Sequence, residues 1–234
     1  MTAEFQPFPK LARLNRNIVI TEKLDGTNAA IIIVDEEATD IGFGDGPDSN
    51  RVAFVGNDEG TFSVYAQSRN KFITPGKSTD NYGFAGWVRE NAQALVAALG
   101  EGTHFGEWWG AGIQRGYGLE GGDKRLSLFN TGRWGDPNFD NLSAGFERVP
   151  GLGVVPTLYS GPFDQAWINT VTDDLREDGS IAAHGFANPE GIVIYHTAAR
   201  QSFKVTFEND AAPGKTGPRN ANDLLPTETI GLAA

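Results

Sequence analysis

A lysine amine attacks an electrophile only when it is unprotonated, and neighbouring cations and loss of water both favour that form. Lys23 stands where the chain can hold it still. It follows the apolar run Ile18-Val19-Ile20 and precedes Asp25-Gly26 and a second apolar run, Ala29 to Val34. Short β-prone runs around Asp-Gly read as a strand, a tight turn and another strand, in the plainest case a hairpin. Four further charged residues, Arg69, Glu107, Glu190 and Lys204, each stand where a strand meets a loop. Singly, such charges are solvated strand ends. Together they place two carboxylates and two cations at the same kind of position as the lysine.

The elements that must position them follow from periodicity. Arg51 to Val55 and Thr61 to Gln67 read as a hairpin whose second strand delivers Ser68-Arg69-Asn70-Lys71. Gly83 to Leu99 reads as one helix, with Phe84, Trp87, Val88, Ala92, Leu95, Val96 and Leu99 in a single stripe and Gly100 at its end. Thr103 to Gly110 predicts a strand running into a glycine-rich loop, and Lys124 to Asn130 another strand. Gly132 to Gly153 has no period and predicts a surface excursion, after which Val154-Val155 resumes the sheet. Phe163 to Arg176 predicts a second helix, and Ile192 to Tyr195 with Ser202 to Phe207 a hairpin. Residues 35–50 read as an exposed loop and residues 1–17 as coil or short helix. The segment 209–234 is a Pro-, Gly- and Asn-rich tail, leaving 1–208 as the one domain. Gly214-Lys215-Thr216 is not a phosphate loop, because the first glycine of that motif falls on Asn209.

Composition excludes several classes. With 39% hydrophobic and 11% aromatic residues the chain is globular. No apolar run approaches about 18 residues, so no membrane helix is expected, and the N-terminus lacks a signal-peptide layout. The absence of cysteine rules out disulfides and thiolate metal sites, and a cytoplasmic setting is expected. His104, His184 and His196 are too dispersed for a zinc site. A net charge of −11 argues against coating nucleic acid by bulk electrostatics and leaves room for a local basic cleft.

In order and in local context these segments resemble the covalent nucleotidyltransferases, the superfamily of ATP-dependent DNA and RNA ligases and mRNA capping enzymes. Lys23-Leu24-Asp25-Gly26 resembles their nucleophile motif and Ser68-Arg69-Asn70-Lys71 the following arginine motif. Phe105-Gly106-Glu107-Trp108 resembles the third motif, and Leu128-Phe129-Asn130 the aromatic segment after it. Glu190 to Ile194 is similar to the fourth motif and Phe203-Lys204-Val205 to the fifth. Glu22-Lys23 with Gly26-Thr27-Asn28, and the run Gly106 to Gln114, are most similar to the second family of phage RNA ligases, which includes RNA-editing ligases. There are departures. The fifth motif usually reads Lys-x-Lys and here carries Thr206, so Lys215 or Arg219 would supply the second charge. Asp25 matches DNA ligases better than several RNA ligases of the nearest family. After Lys204 too few residues remain for an OB-fold domain.

The resemblance implies an α+β, ATP-grasp-like nucleotidyltransferase domain of antiparallel sheets flanked by helices, without an OB-fold domain. It implies an ATP-dependent RNA ligase. Lys23 would form a covalent adduct with AMP, pass AMP to a 5′-phosphate end and let a 3′-hydroxyl seal it. Lys23, Asp25 and Lys204 would be catalytic, with Lys204 and bound Mg²⁺ (or Mn²⁺) tuning the nucleophile. Glu22, Asn28, Arg69, Glu107, Phe129, Glu190 and Lys204 would bind the nucleotide. Among these, Glu107 would take a ribose hydroxyl, Phe129 would stack on adenine, and Glu190 would hold the metal. Arg69 would meet the ribose or the incoming 5′-phosphate, and Asn28 would orient the reacting phosphate. The partner would be nucleic acid with 5′-phosphate and 3′-hydroxyl ends, as RNA or an RNA/DNA nick, met by a monomer and no membrane. A minimal ATP-dependent DNA ligase, a capping guanylyltransferase and a nucleotide- or nucleic-acid-end-binding protein without turnover stay open as alternatives.

Overall fold

The computed structural model describes Phe5, Pro7, Phe8 and residues 10–36, 49–58, 60–135 and 145–208. Most of the expected loop at 35–50 and the whole expected tail from Asn209, with Lys215 and Arg219, lie outside the described residues. Among the described residues eleven strands form two sheets. The smaller holds β1 (Asn17–Lys23), β9 (Thr157–Pro162), β10 (Gly191–His196) and β11 (Gln201–Thr206), in the order β11-β10-β1-β9. The larger holds β2 (Thr27–Asp35), β3 (Arg51–Asn57), β4 (Gly60–Ser68), β6 (Gly102–Gly110), β7 (Lys124–Leu128) and β8 (Leu152–Val154). Their order is β3-β4-β2-β6-β7-β8, with β5 (Phe72–Ile73) paired to β4. All pairings are antiparallel except β7 with β8, as expected for the α+β class.

The hairpin reading of the lysine motif is corrected here. β1 and β2 are strands, as their composition predicts, but they lie in different sheets and do not pair with each other. The Leu24–Gly26 turn therefore crosses from one sheet to the other, and Lys23 ends β1 at the seam between them.

Each sheet is covered on one face by helices. α1 (Phe84–Glu90) and α2 (Ala92–Leu99) bury Phe84, Val88, Leu95, Val96 and Leu99 against Ile31, Ile33, Val64 and Ala66 of the larger sheet. The stripe is the one the sequence predicts, but the single helix is broken at Asn91, which leaves helical geometry at φ −106°, ψ 9°. Its carboxamide donates to the Trp87 carbonyl at 2.8 Å, the local side-chain bond by which Asn competes with helical backbone. α4 (Gln165–Asp178) buries Ile168, Val171 and Leu175 against Ile18, Ile20, Ile192 and Ile194 of the smaller sheet. Asp164 caps it, accepting from the Ala166 N–H at 2.8 Å, a bond whose loss typically costs about 1 kcal/mol.

Of the expected excursion at 132–153, residues 136–144 lie outside the described residues, and the described part is not all surface. Trp134 of the short α3 (Thr131–Trp134), Phe146 and Val149 are buried in the larger core. β9 was not expected from the sequence. A third, small core of Leu24, Trp109, Tyr117, Val155 and Ala183 lies under the crossing turn. No helix among the described residues is long and apolar enough to cross a membrane.

Candidate active site

The outer faces of the sheets belong to the helices, and the opposite faces enclose a cavity of about 910 Å³. Strand alternation selects its lining. On β1 the side chains of Ile18, Ile20 and Glu22 are buried beneath the sheet and those of Val19, Thr21 and Lys23 alternate with them, and the cavity is bordered by Val19 and by Thr21 to Leu24. On the larger sheet Asn28 and Glu107 are cross-strand partners and both line it, with Phe105 and Thr103 further along β6.

Three consecutive residues of the crossing turn are held from outside. Leu24 is buried in the small core. The Asp25 N–H donates to the Tyr117 hydroxyl at 2.8 Å, and the Gly26 N–H donates to Glu107 Oε1 at 3.1 Å. Gly26 is required on steric grounds: a Cβ there would lie 2.4 Å from the Trp108 carbonyl oxygen. With the turn fixed, Lys23 Nζ projects between the sheets and donates to Glu190 Oε2 in a partly buried ion pair. The expected neighbour was a cation. Lys204 stands opposite Val193 in β10, on the cavity face of its sheet, but its side chain is exposed and is not part of the lining. The group placed against Lys23 is a carboxylate.

Glu107 has the most perturbed acid of the cavity. Burial raises its pKa to about 7, with the charge of Glu190 acting in the same direction and Lys23, the Gly26 N–H and Arg69 opposing. Its folded pKa lies above the ordinary value of 4.5, so its contribution to stability is full below pH 4.5 and is lost as pH rises through 7. Glu107→Gln keeps the shape and removes the titration. Denaturant unfolding at pH 5 and pH 8 should show the variant gaining on wild type with rising pH, by up to about 3 kcal/mol. A stability difference that is the same at both pH values would remove Glu107 from this role.

The remaining expected residues divide. Arg69 is exposed on the tight turn closed by the Ser68 N–H to the Lys71 carbonyl at 2.9 Å, and it lines the cavity. Phe129 follows β7, is 42% exposed and lines the cavity beside Phe105, to whose carbonyl its N–H donates at 3.0 Å. Glu190 reaches the site through Lys23. Glu22, expected to bind the nucleotide, borders the cavity, while its carboxylate is engaged on the loop that follows α4. Its side chain is 1% exposed and lies under β1, where its carboxylate accepts from Ser180 Oγ at 2.5 Å and from the Ile181 and Ala182 N–H groups at 2.9 Å each. Burial raises its pKa against those three bonds. Glu22 anchors the loop at 180–186, and Phe186 of that loop packs on Tyr117, which holds Asp25.

Two residues of this support were not foreseen. Arg115 donates from Nε to Asp25 Oδ2 at 3.1 Å, from one terminal nitrogen to the Asn188 carbonyl at 3.2 Å, and from the other to Glu208 at 3.3 Å. One guanidinium thus joins the lysine turn to the segments flanking β10 and β11. Tyr117, φ 52°, closes the same glycine-rich loop. In the sequence both look like ordinary loop residues. Their only signal is that they stand one and three positions after the run Gly106 to Gln114.

Among the described residues there is no cluster of three or more His, Cys, Asp or Glu side chains fit to hold a metal. Glu190 and Glu107, close enough to raise the latter's pKa, still suit Mg²⁺, which is commonly held by one or two carboxylates together with phosphate oxygens.

A family model described as RNA ligase matches residues 16–206. No curated protein sequence matches the chain. Among solved structures the chain is similar to Naegleria gruberi RNA ligase. A lysine-to-methionine variant with AMP and Mn is 17% identical over 82% of this chain and 50% of that one, with a TM-score of 0.49. An apo lysine-to-alanine variant gives 17%, 82%, 50% and 0.48. An arginine-to-alanine variant with ATP and Mn gives 15%, 82%, 50% and 0.47. The chain spans about half the length of these proteins.

Proposed function

The chain belongs to the RNA ligase family, and from that premise we propose that it is an ATP-dependent polynucleotide ligase acting through a covalent Lys23–AMP adduct. The observation that carries this reading is the delivery of a single lysine amine, by a turn pinned at three successive residues, into a cavity of nucleotide size. Pockets for such ligands run from about 300 to 1,000 Å³.

The first step joins Lys23 Nζ to the α-phosphorus of ATP. The bond to the bridging oxygen breaks and leaves pyrophosphate, and Nζ gives up a proton. An ammonium has no lone pair, so before attack Lys23 must also lose its ammonium proton, to the Glu190 carboxylate or to solvent. AMP then passes to a 5′-phosphate as the N–P bond breaks and the lysine is reprotonated. In the last step a 3′-hydroxyl forms the phosphodiester and expels AMP.

The chain's own groups divide the work. Phe129 and Phe105 offer flat apolar faces for the base. Glu107 accepts from the ribose, and Arg69 meets the incoming 5′-phosphate. Lys204, exposed on the cavity face of its sheet, is free to offset charge on the phosphates. Glu190, with Glu107 near it, would hold Mg²⁺ or Mn²⁺, which supplies Lewis-acid neutralisation of phosphate charge. Asp25, bound by Arg115, serves to fix the turn and not to take a proton.

The test is incubation with Mg²⁺ and α-labelled ATP, followed by acid and recovery of the protein. Stable label is expected from ATP and not from GTP. Subsequent sealing of 5′-phosphate to 3′-hydroxyl ends is expected to favour RNA over DNA. No label from either nucleotide would end the ligase reading, a GTP-only adduct would indicate capping chemistry, and preference for all-DNA nicks would make this a DNA ligase.

A further inference from the structure

The helix-free face of the larger sheet extends beyond the cavity. Register aligns five residues across it in one transverse row: Phe72 of β5 pairs with Gln67 of β4, Gln67 with Ala30 of β2, and Ala30 with Phe105 of β6. Phe129, bonded to the Phe105 carbonyl, completes the row. Three of the five are phenylalanines, and these are 45%, 48% and 42% exposed in the order Phe72, Phe105, Phe129. Singly exposed apolar residues are ordinary, but a row on one face is not a scatter. Phe105 and Phe129 line the cavity and Phe72 does not. Phe72 is instead supported by Tyr65 on the same face, with ring centroids 5.8 Å apart. The turn that leads into Phe72 exposes Arg69, which lines the cavity, and Lys71, and is held by the Ser68 hydroxyl to the Lys71 carbonyl at 3.2 Å.

We propose that the outer part of this row, beyond the cavity where Phe105 and Phe129 take the nucleotide base, is a stacking track for single-stranded RNA leading away from the reacting 5′-phosphate, with Phe72 as its base-stacking residue and Arg69 and Lys71 as its phosphate contacts. The proposal rests on the ligase reading and adds where the strand runs. Exposed aromatic rings on a sheet beside cations are what unpaired bases and their phosphates recognise, whereas a duplex keeps its base faces covered. In a chain of net charge −11 the cations of this one turn carry the local attraction that the body as a whole lacks. From Phe105 to Phe72 is three strand spacings, about 14 Å at ~4.8 Å each. That is the span of roughly four nucleotides stacked at ~3.4 Å.

The length sets the test. Binding of a 5′-phosphorylated RNA of twelve nucleotides and of a 5′-phosphorylated dinucleotide is measured by fluorescence anisotropy, beside ATP labelling of Lys23. Phe72→Leu, still apolar but without a ring, should weaken the dodecamer about 5- to 100-fold. It should leave the dinucleotide and the labelling unchanged. Phe72→Trp should bind the dodecamer as tightly as wild type and show indole quenching beyond that of the five native tryptophans. Equal dodecamer affinity for wild type and Phe72→Leu, or equal losses with both RNAs, overturns the track and leaves the ligase reading standing. So does wild-type protein that labels with ATP and binds neither RNA. Failure of wild type to label at all removes the ligase reading itself.

Discussion

Exchange of Lys23 for arginine is expected to abolish acid-stable labelling by ATP while leaving the protein folded. Arginine keeps a cation opposite Glu190, so the partly buried carboxylate that now pairs with Lys23 does not lose its counter-charge. A guanidinium does not deprotonate in a protein and cannot serve as the amine nucleophile. Labelling should fall at least about a thousand-fold, the order of loss that follows removal of a covalent nucleophile. Lys23→Ala should lose the label as well, but it strands Glu190 and should also lower the unfolding midpoint. The arginine variant therefore separates chemistry from packing. The measurement is label recovered per folded protein, with unfolding curves of both variants alongside. Label retained by Lys23→Arg would transfer the nucleophile to another lysine and break the link between the pinned turn and the chemistry.

Much of this arrangement could be read from residue order, and the unread part has a common cause. Strands and helices are local: Ile18 to Ile20, the Phe84 to Leu99 stripe and the Ile192 to Tyr195 run each announce themselves through a period of two or 3.6. The family resemblance likewise draws on short segments, and the model match over residues 16–206 bears it out. What escaped was the relation between segments. A strand, a turn and a strand look the same whether they pair or part, and only the partners of β1 and β2 show that Lys23 lies at a seam. Glu22 is adjacent to Lys23 in sequence, but strand alternation sends it to the other side of the sheet, onto the loop at 180–182. Arg115 gains meaning only because Asp25, Asn188 and Glu208, up to 93 positions away, converge on it. The break at Asn91 is a different kind of miss, since one carboxamide bond outweighs a helical stripe that is otherwise continuous.

The same convergence explains why a glycine with no chemistry of its own should be the most sensitive residue of the smaller sheet. Gly191 occupies the position in β10 directly between Lys23 of β1 and Thr206 of β11. It also follows Glu190, the partner of Lys23. A Cβ at 191 would lie 2.1 Å from the Val205 carbonyl oxygen and 2.9 Å from Thr206 Cα, both backbone atoms that no rotamer change can move. Its φ of +149° is in addition a conformation that side chains rarely adopt. Gly191→Ala should therefore cost roughly 3 kcal/mol, overpacking and backbone strain together. Relief requires β11 to move away from β10, which carries Lys204 outward and shifts Glu190 from Lys23. A displacement near 1 Å at reacting groups can cost about a hundred-fold in rate. Labelling should fall accordingly even at low temperature, where the variant remains folded. Gly153→Ala is the matched control, since a Cβ there meets nothing within 4 Å and its φ is unexceptional. Denaturant unfolding and single-turnover labelling of the two variants decide the matter. If Gly191→Ala matches Gly153→Ala in both, the close approach of β11 to β10 does not hold the site together.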